Sequence, residues 1–189
     1  MRVSRRSFLR AGAAATAVAP GSRVRAAVVT DSSFDPWVEV NAENLRHNVG
    51  EIARRVAPRP ILAVVKNNGY GLGVANVARL LEPLSPIAGF AVVKLAEALA
   101  IREAGVKKPV LLMGPFDEAG LDEAVAKDIA PMVYTPIGDV LERVARRRGR
   151  SVPVHVCVDT GIGRVGVPHA KAAPLIRDLA APPRCSSKA

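Results

Sequence analysis

The sequence predicts an α/β fold, a partial (β/α)8 barrel of the TIM type with about five of its eight strand–helix units. Three observations carry this. Short apolar, β-branched runs begin near residues 61, 87, 109, 129 and 153. Amphipathic helix patterns fall between them. The strand-plus-helix unit repeats every ~20–26 residues, the spacing of right-handed βαβ crossovers in a parallel sheet. Eight such units make a barrel of about 250 residues. The 189 residues, 49% apolar, suffice for one domain with a core but fall short of a full barrel.

The elements follow in order. Leu45, Val49, Ile52 and Val56 share one helix face ahead of the first strand, Ile61 to Val65. Val74, Val77, Ala78 and Leu81 predict the next helix, and Ile87 to Val93 the second strand. Leu95, Leu99 and Arg102 lead to Gly105, where a helix end favours glycine. Pro109 to Met113 is the third strand, Leu121 and Val125 mark a helix, and Ile129 to Val133 is the fourth strand. Val140, Leu141 and Val144 run to a second glycine stop at Gly149. Pro153 to Val158 is the fifth strand, and Lys171 to Leu179 suggests a further helix.

The first strand has the richest surroundings. Ile61 to Val65 is wholly apolar, as in a strand buried on both faces. It delivers Lys66 at its carboxyl end, followed by Asn67-Asn68-Gly69-Tyr70-Gly71-Leu72-Gly73. Partial desolvation lowers an amine's pKa and frees it to attack a carbonyl, the requirement for a Schiff-base lysine with pyridoxal phosphate as the usual aldehyde. Gly69, Gly71 and Gly73 let the backbone take positive φ and approach a ligand, and Tyr70 could offer its hydroxyl to a phosphate. An ordinary surface lysine after a βα strand would look the same. From the residues alone both readings stand.

A resemblance separates them. Val64-Val65-Lys66-Asn67-Asn68-Gly69-Tyr70-Gly71-Leu72-Gly73 resembles the cofactor-lysine motif of the alanine racemases. Asp159-Thr160-Gly161-Ile162-Gly163-Arg164-Val165-Gly166 is similar to that family's second signature. Two further segments support these in register: Trp37 to Val40 with Asn41 to Leu45, and Ala96 to Arg102. The match covers roughly residues 35–170. It implies a pyridoxal 5'-phosphate barrel domain followed in the family by a β domain, a homodimer, a small amino-acid substrate (alanine or a broader set), and no metal. By resemblance Lys66 is the cofactor lysine and one of two bases. Tyr70 and Arg164 are cofactor-binding residues, and Arg164 also meets the substrate carboxylate. The family's other base is a tyrosine from the β domain of a partner subunit. Tyr70 and Tyr134, the two tyrosines here, do not match that role. Many family members carry a modified lysine two residues before the aspartate, where this chain has Cys157, which leaves the orientation of Arg164 open. Alternation places His155, Cys157 and Asp159 on one strand face, opposite Val154, Val156 and Val158.

Gly161-Ile162-Gly163-Arg164-Val165-Gly166 also spells G-x-G-x-x-G after a strand. The dinucleotide reading fails because Pro168 would interrupt a helix opening there, and no acid follows ~20 residues on to hold a ribose.

The first thirty residues form a separate region. Ser4-Arg5-Arg6-Ser7-Phe8-Leu9 is a twin-arginine pattern, and the alanine-rich stretch from Ala11 to Ala19 completes an export signal. The expected destination is the periplasm or beyond, through the twin-arginine route. This region holds six arginines and no acids, leaving 21 basic against 17 acidic residues elsewhere. The formal +10 is therefore mostly a property of the signal, and nucleic-acid binding is not expected. No apolar run approaches the ~20 residues that span a bilayer, so no membrane association is expected after cleavage. Cys157 in a strand and Cys185 in a polar tail suggest no disulfide framework. Arg146-Arg147-Arg148 with Arg150 reads as a solvated helix end, Trp37 as a packing anchor, and His169 as exposed.

From Ala181 to Ala189 the chain turns polar and irregular. A frameshift or premature stop is the favoured reading, and a short paralogue the alternative. With a second base and a β domain missing, the short chain alone is expected to be inactive or nearly so. The domain reading is residues 1–30 signal and linker, 35–180 incomplete barrel, and 181–189 tail. Other functional readings are an inactive pyridoxal-phosphate-binding fragment and a decarboxylase of the same barrel type. The Asp-Thr-Gly-Ile-Gly-Arg run argues against the decarboxylase.

Overall fold

The computed structural model describes residues 39–180. The twin-arginine segment, Trp37, Cys185 and the polar tail lie outside the described residues.

Asn41 opens α1 (Ala42–Val56): its side-chain oxygen accepts from the amides of Glu43 (2.8 Å) and Asn44 (3.0 Å). Such a cap stabilises a helix by about 1 kcal/mol. After β1 (Ile61–Val64) come α2 (Val74–Leu81), β2 (Ile87–Val92), α3 (Leu95–Glu103), β3 (Val110–Leu112), α4 (Glu118–Ala126), β4 (Ile129–Val133) and α5 (Gly138–Arg148). The chain continues through β5 (His155–Val156), β6 (Val158–Asp159) and β7 (Val167–Pro168) into α6 (His169–Ala180). Strands β1 to β5 form one parallel sheet in sequence order, so each helix crosses over to the next strand as the repeat predicts. The result is a half-barrel. Gly105 and Gly149 follow α3 and α5 at positive φ, where the glycine stops were expected.

Helices cover one face of the sheet. Phe90, Val92, Val110, Leu112 and Ile129 are buried there against Ala78, Ile101 and Ala124. The other face carries Leu62, Val64, Ala91, Leu111 and Met132. Leu62 is 44% and Val64 43% exposed, so β1 is covered on one face rather than both. Apolar composition is shared by a doubly covered strand and by one lining a barrel interior, which is why the residues alone misread it.

The fifth strand also differs from a simple alternating run. It breaks at Cys157, whose N–H still donates to Val133 O at 2.8 Å while its carbonyl accepts from Val167. Beyond the break, β6 pairs with β7 instead. Val154 and Val156 pack into the core clusters, whereas Val158 is exposed. The alternation thus ends where β7 intrudes.

Arg102 fastens the amino-terminal ends of the strands. Its guanidinium donates to the carbonyls of Val106 (2.9 Å), Lys108 (2.8 Å), Lys127 (2.9 Å) and Asp128 (2.8 Å). These carbonyls lead into β3 and β4. On the outer surface, Arg143 and Arg147 pair with Glu118, Arg147 and Arg148 with Asp122, Arg146 with Glu142, and Arg150 with Asp128. Arg143, Arg147 and Arg148 thus form an ion-pair seam between α4 and α5, and Arg143 and Arg147 hold the Glu118 carboxyl down to about 2.

Arg102→Ala strands several carbonyls at once and should cost about 3 kcal/mol in urea unfolding. Arg102→Lys should recover little of it, because one ammonium cannot span four acceptors set by a planar fork.

Candidate active site

In a parallel sheet the carboxyl ends of all strands open on one edge, and the loops leaving them gather the reactive side chains. Lys66 leaves β1 at this edge. Val65, buried beside it, continues the ladder by donating to Ala91 O at 2.9 Å. Lys66 is half-buried, and among the described residues no hydrogen bond or ion pair engages its side chain.

Lys66–Tyr70 is a single helical turn, and its backbone is wound the wrong way for L-residues. Asn67 (φ 53°, ψ 51°), Asn68 (φ 54°, ψ 47°) and Gly69 (φ 63°, ψ 36°) are left-handed, and Tyr70 follows at φ 56°. Gly71 and Gly73 also have positive φ, so all three turn glycines adopt the conformation their identity suggested. Glycine takes this region without penalty, and asparagine tolerates it better than most. A tyrosine does not, at on the order of 1 kcal/mol or more.

Hydrogen bonds hold the turn in place. The Asn68 N–H donates to Glu97 Oε1 at 2.9 Å, and the Asn68 carbonyl accepts from the amides of Gly71 (3.1 Å) and Gly73 (2.9 Å). Asn68 Oδ1 accepts from Val74 N–H at 3.0 Å, capping α2. On the opposite side of its carboxylate, Glu97 Oε2 accepts from the amides of Lys94 (3.2 Å) and Val93 (3.4 Å) at the start of α3. Glu97 is 8% exposed, the one buried charged residue among the described residues. Burial would push its carboxyl up. The amides of Asn68, Lys94 and Val93, with the Lys94 ammonium, outweigh that and hold it below the ordinary value.

Sequence reasoning placed Glu97 in a supporting segment and gave it no role. The available signal was its position one turn before Ile101 on the buried face of an apolar helix that starts without a Ser, Thr, Asp or Asn cap.

Tyr70 sits on the same turn as Lys66 and is 62% exposed. Arg164 lies elsewhere, on the loop between β6 and β7 at the far edge of the sheet from β1. That loop folds around Asp159. Its carboxylate accepts from the amides of Gly161 (2.9 Å) and Gly163 (3.1 Å), and these bonds hold the Asp159 carboxyl below its ordinary value. Gly161, Gly163 and Gly166 all have positive φ, so the glycines shape a carboxylate-centred loop, and β7 rather than a helix follows Gly166. Cys157 Sγ lies 3.6 Å from Val165 O, tying the strand break to the residue after Arg164.

Both carboxylates have depressed folded-state pKa values, so their contribution is complete above the unfolded values and is lost as pH falls through the folded ones. Protection factors at Gly161 and Gly163 should therefore stay constant down to the ordinary aspartate value of 3.8 and collapse below it. Asp159→Ala should abolish that protection at neutral pH, as read by amide hydrogen exchange.

Residues 40–188 match the family model described as "Alanine racemase, N-terminal domain". An alanine racemase from Desulforamulus reducens is 41% identical over 133 residues, which is 69% of this chain and 35% of that protein. One from Sorangium cellulosum is 38% identical over 156 residues, 77% of this chain and 40% of that protein. Among solved structures, alanine racemase from Clostridium difficile 630 superposes with a TM-score of 0.73 at 28% identity, covering 78% of this chain and 39% of its own. That from E. faecalis gives 0.64 at 30% identity, over 73% and 38%. The chain thus spans somewhat more than a third of the length of the relatives it matches. With a half-barrel of the same course, and a lysine turn and an Asp-Thr-Gly loop on one edge, this chain belongs to the alanine racemase N-terminal domain family.

Proposed function

We propose that this chain is the cofactor-lysine half of a pyridoxal-phosphate-dependent amino-acid racemase acting on alanine or a broader set of small amino acids. The observation that carries this is Lys66: an amine without an ion-pair partner among the described residues, at the carboxyl end of β1, on a turn whose backbone is held by a buried carboxylate. The family match and the named relatives support the reaction class.

The residues present suit the cofactor chemically. An amine is available for its aldehyde, a phenol for its phosphate, and a guanidinium for its phenolic oxygen or a substrate carboxylate. When bound, pyridoxal phosphate supplies the aldehyde and the electron sink that acidifies a Cα–H bond. Lys66 would hold it through its amine and would carry a proton at Nζ to or from one face of the substrate. Tyr70, exposed on the same turn, would offer its hydroxyl to the phosphate. Arg164 orients the substrate carboxylate, for which two parallel N–H donors suit better than a single ammonium. The opposite face needs a second base. By analogy with the family this is a tyrosine of a partner subunit in a homodimer.

Ser4 to Leu9 with the alanine-rich stretch after it supports export through the twin-arginine route. That route carries folded proteins, which suits an enzyme that takes up its cofactor before transport. No helix among the described residues is long and apolar enough to cross a membrane.

Incubation with pyridoxal phosphate followed by borohydride should leave a stable adduct on the peptide containing Lys66 and none in Lys66→Ala. An adduct spread over surface lysines, with Lys66 unlabelled, would overturn the cofactor assignment. In the protein that racemises, Arg164→Lys should lower kcat/KM by about 10–100-fold, the worth of one charge-assisted hydrogen bond.

A further inference from the structure

We propose that Glu97 is the positioning residue for Lys66, a role that rests on the cofactor-lysine reading above. Its buried carboxylate fixes the left-handed turn that follows Lys66 and ties that turn to the loop between β2 and α3.

A carboxylate in this place is costly unless both of its oxygens accept hydrogen bonds. Glu97 meets that demand with main-chain donors from two segments that are far apart in sequence. Asn68 comes from the lysine turn, and Val93 and Lys94 from the loop between β2 and α3. Each oxygen thus grips one element, and the carboxyl group works as a rigid link between them. The link falls two residues past Lys66. It engages the same residue whose carbonyl and side chain organise Gly71, Gly73 and the first amide of α2. Without the link, Asn67, Asn68 and Tyr70 would lose a reason to stay at positive φ, and the main chain carrying Lys66 could relax toward an ordinary right-handed turn. The far side of the link is equally fixed. A Cβ at Gly114 would fall 1.9 Å from the Val93 carbonyl oxygen, so the chain leaving β3 packs directly against the segment that Glu97 grips. Position at the lysine is thereby referred to the second and third strands of the sheet.

The role needs both oxygens to accept. Glu97→Gln keeps size and shape but turns one acceptor into an NH2 group facing main-chain donors. Glu97→Asp keeps the charge but shortens the reach by one methylene. Neither residue touches the cofactor in this scheme, so both readouts report on geometry transmitted through the turn. The first is amide hydrogen exchange over residues 66–74 of the protein without added cofactor. The second is the half-saturating pyridoxal phosphate concentration for the borohydride-trapped adduct on Lys66. Glu118→Ala, which cuts the outer ion-pair seam, serves as a control for general loss of stability.

The expected result for Glu97→Gln is at least ten-fold faster exchange confined to residues 66–74 and 93–94, with at least a ten-fold rise in half-saturation. Glu97→Asp should fall between it and the wild type, and carries the test if Glu97→Gln does not fold. Glu118→Ala should change neither. Unaltered exchange at Asn68 and Val74, or equal changes in Glu118→Ala, would overturn the proposal. A wild type that forms no adduct on Lys66 would overturn the cofactor reading instead, and the exchange arm would then decide alone whether Glu97 holds the turn.

Discussion

Moving an isolated carboxylate from water into a protein interior costs several kcal/mol even after relaxation, and the site must return that through hydrogen bonds or the group protonates. At Glu97 the return comes from three amides and the neighbouring Lys94 charge. The other features of the edge depend on this balance. The lysine turn has a conformation its sequence resists, with a tyrosine and two asparagines at positive φ. Glycines alone would permit that conformation without selecting it. The buried acid favours it, because this path of the chain brings the Asn68 N–H to the carboxylate. Removing the acid would therefore change what the turn is, beyond lowering stability.

Much of the fold was legible because its signals are local. Period-3.6 and strand-length apolar runs placed α1 to α5 and β1 to β5 to within a few residues, and Gly105 and Gly149 marked two helix ends. The identity of the turn glycines also carried over to their backbone angles. What escaped was of two kinds. Leu62 and Val64 look the same in sequence whether the second face of β1 is covered by helices or forms the inside of a barrel. Glu97, Arg102, Arg147, Arg148 and Arg150 act on partners 22 to 29 residues away or on main-chain groups, and neither leaves a mark in a helical pattern. Arg102 even passed as an ordinary helix position. The break at Cys157 was hidden similarly, since it comes from β7 arriving beside β6 rather than from any breaker residue in the strand.

The two carboxylate-centred loops share a logic. Asp159 collects the amides of Gly161 and Gly163, and Glu97 collects those of Asn68, Val93 and Lys94. In each case an acid organises main chain next to a cationic side chain without pairing with that cation. The main chain beside Lys66 and Arg164 is hydrogen-bonded to these acids, while neither cation has an ion-pair partner among the described residues. A direct ion pair would have fixed the cation more simply, at the expense of the chemistry asked of it.

Helix α3 has opposite tasks at its two ends. Near its start Glu97 gathers N–H groups at the carboxyl edge of the sheet, and near its end Arg102 gathers carbonyls at the amino edge. An acid at the first turn and a base at the last also suit the helix dipole. The helix therefore acts as a gauge block: its length of nine residues sets the distance between the floor of the half-barrel and its rim. Neither anchor tolerates a shift along the axis, because each is matched to several main-chain groups at once. One residue inserted into or deleted from α3 would rotate one anchor by about 100° relative to the other. Transplanting this unit into another barrel would thus require a helix of the same length, with both anchors and the strand ends they grip.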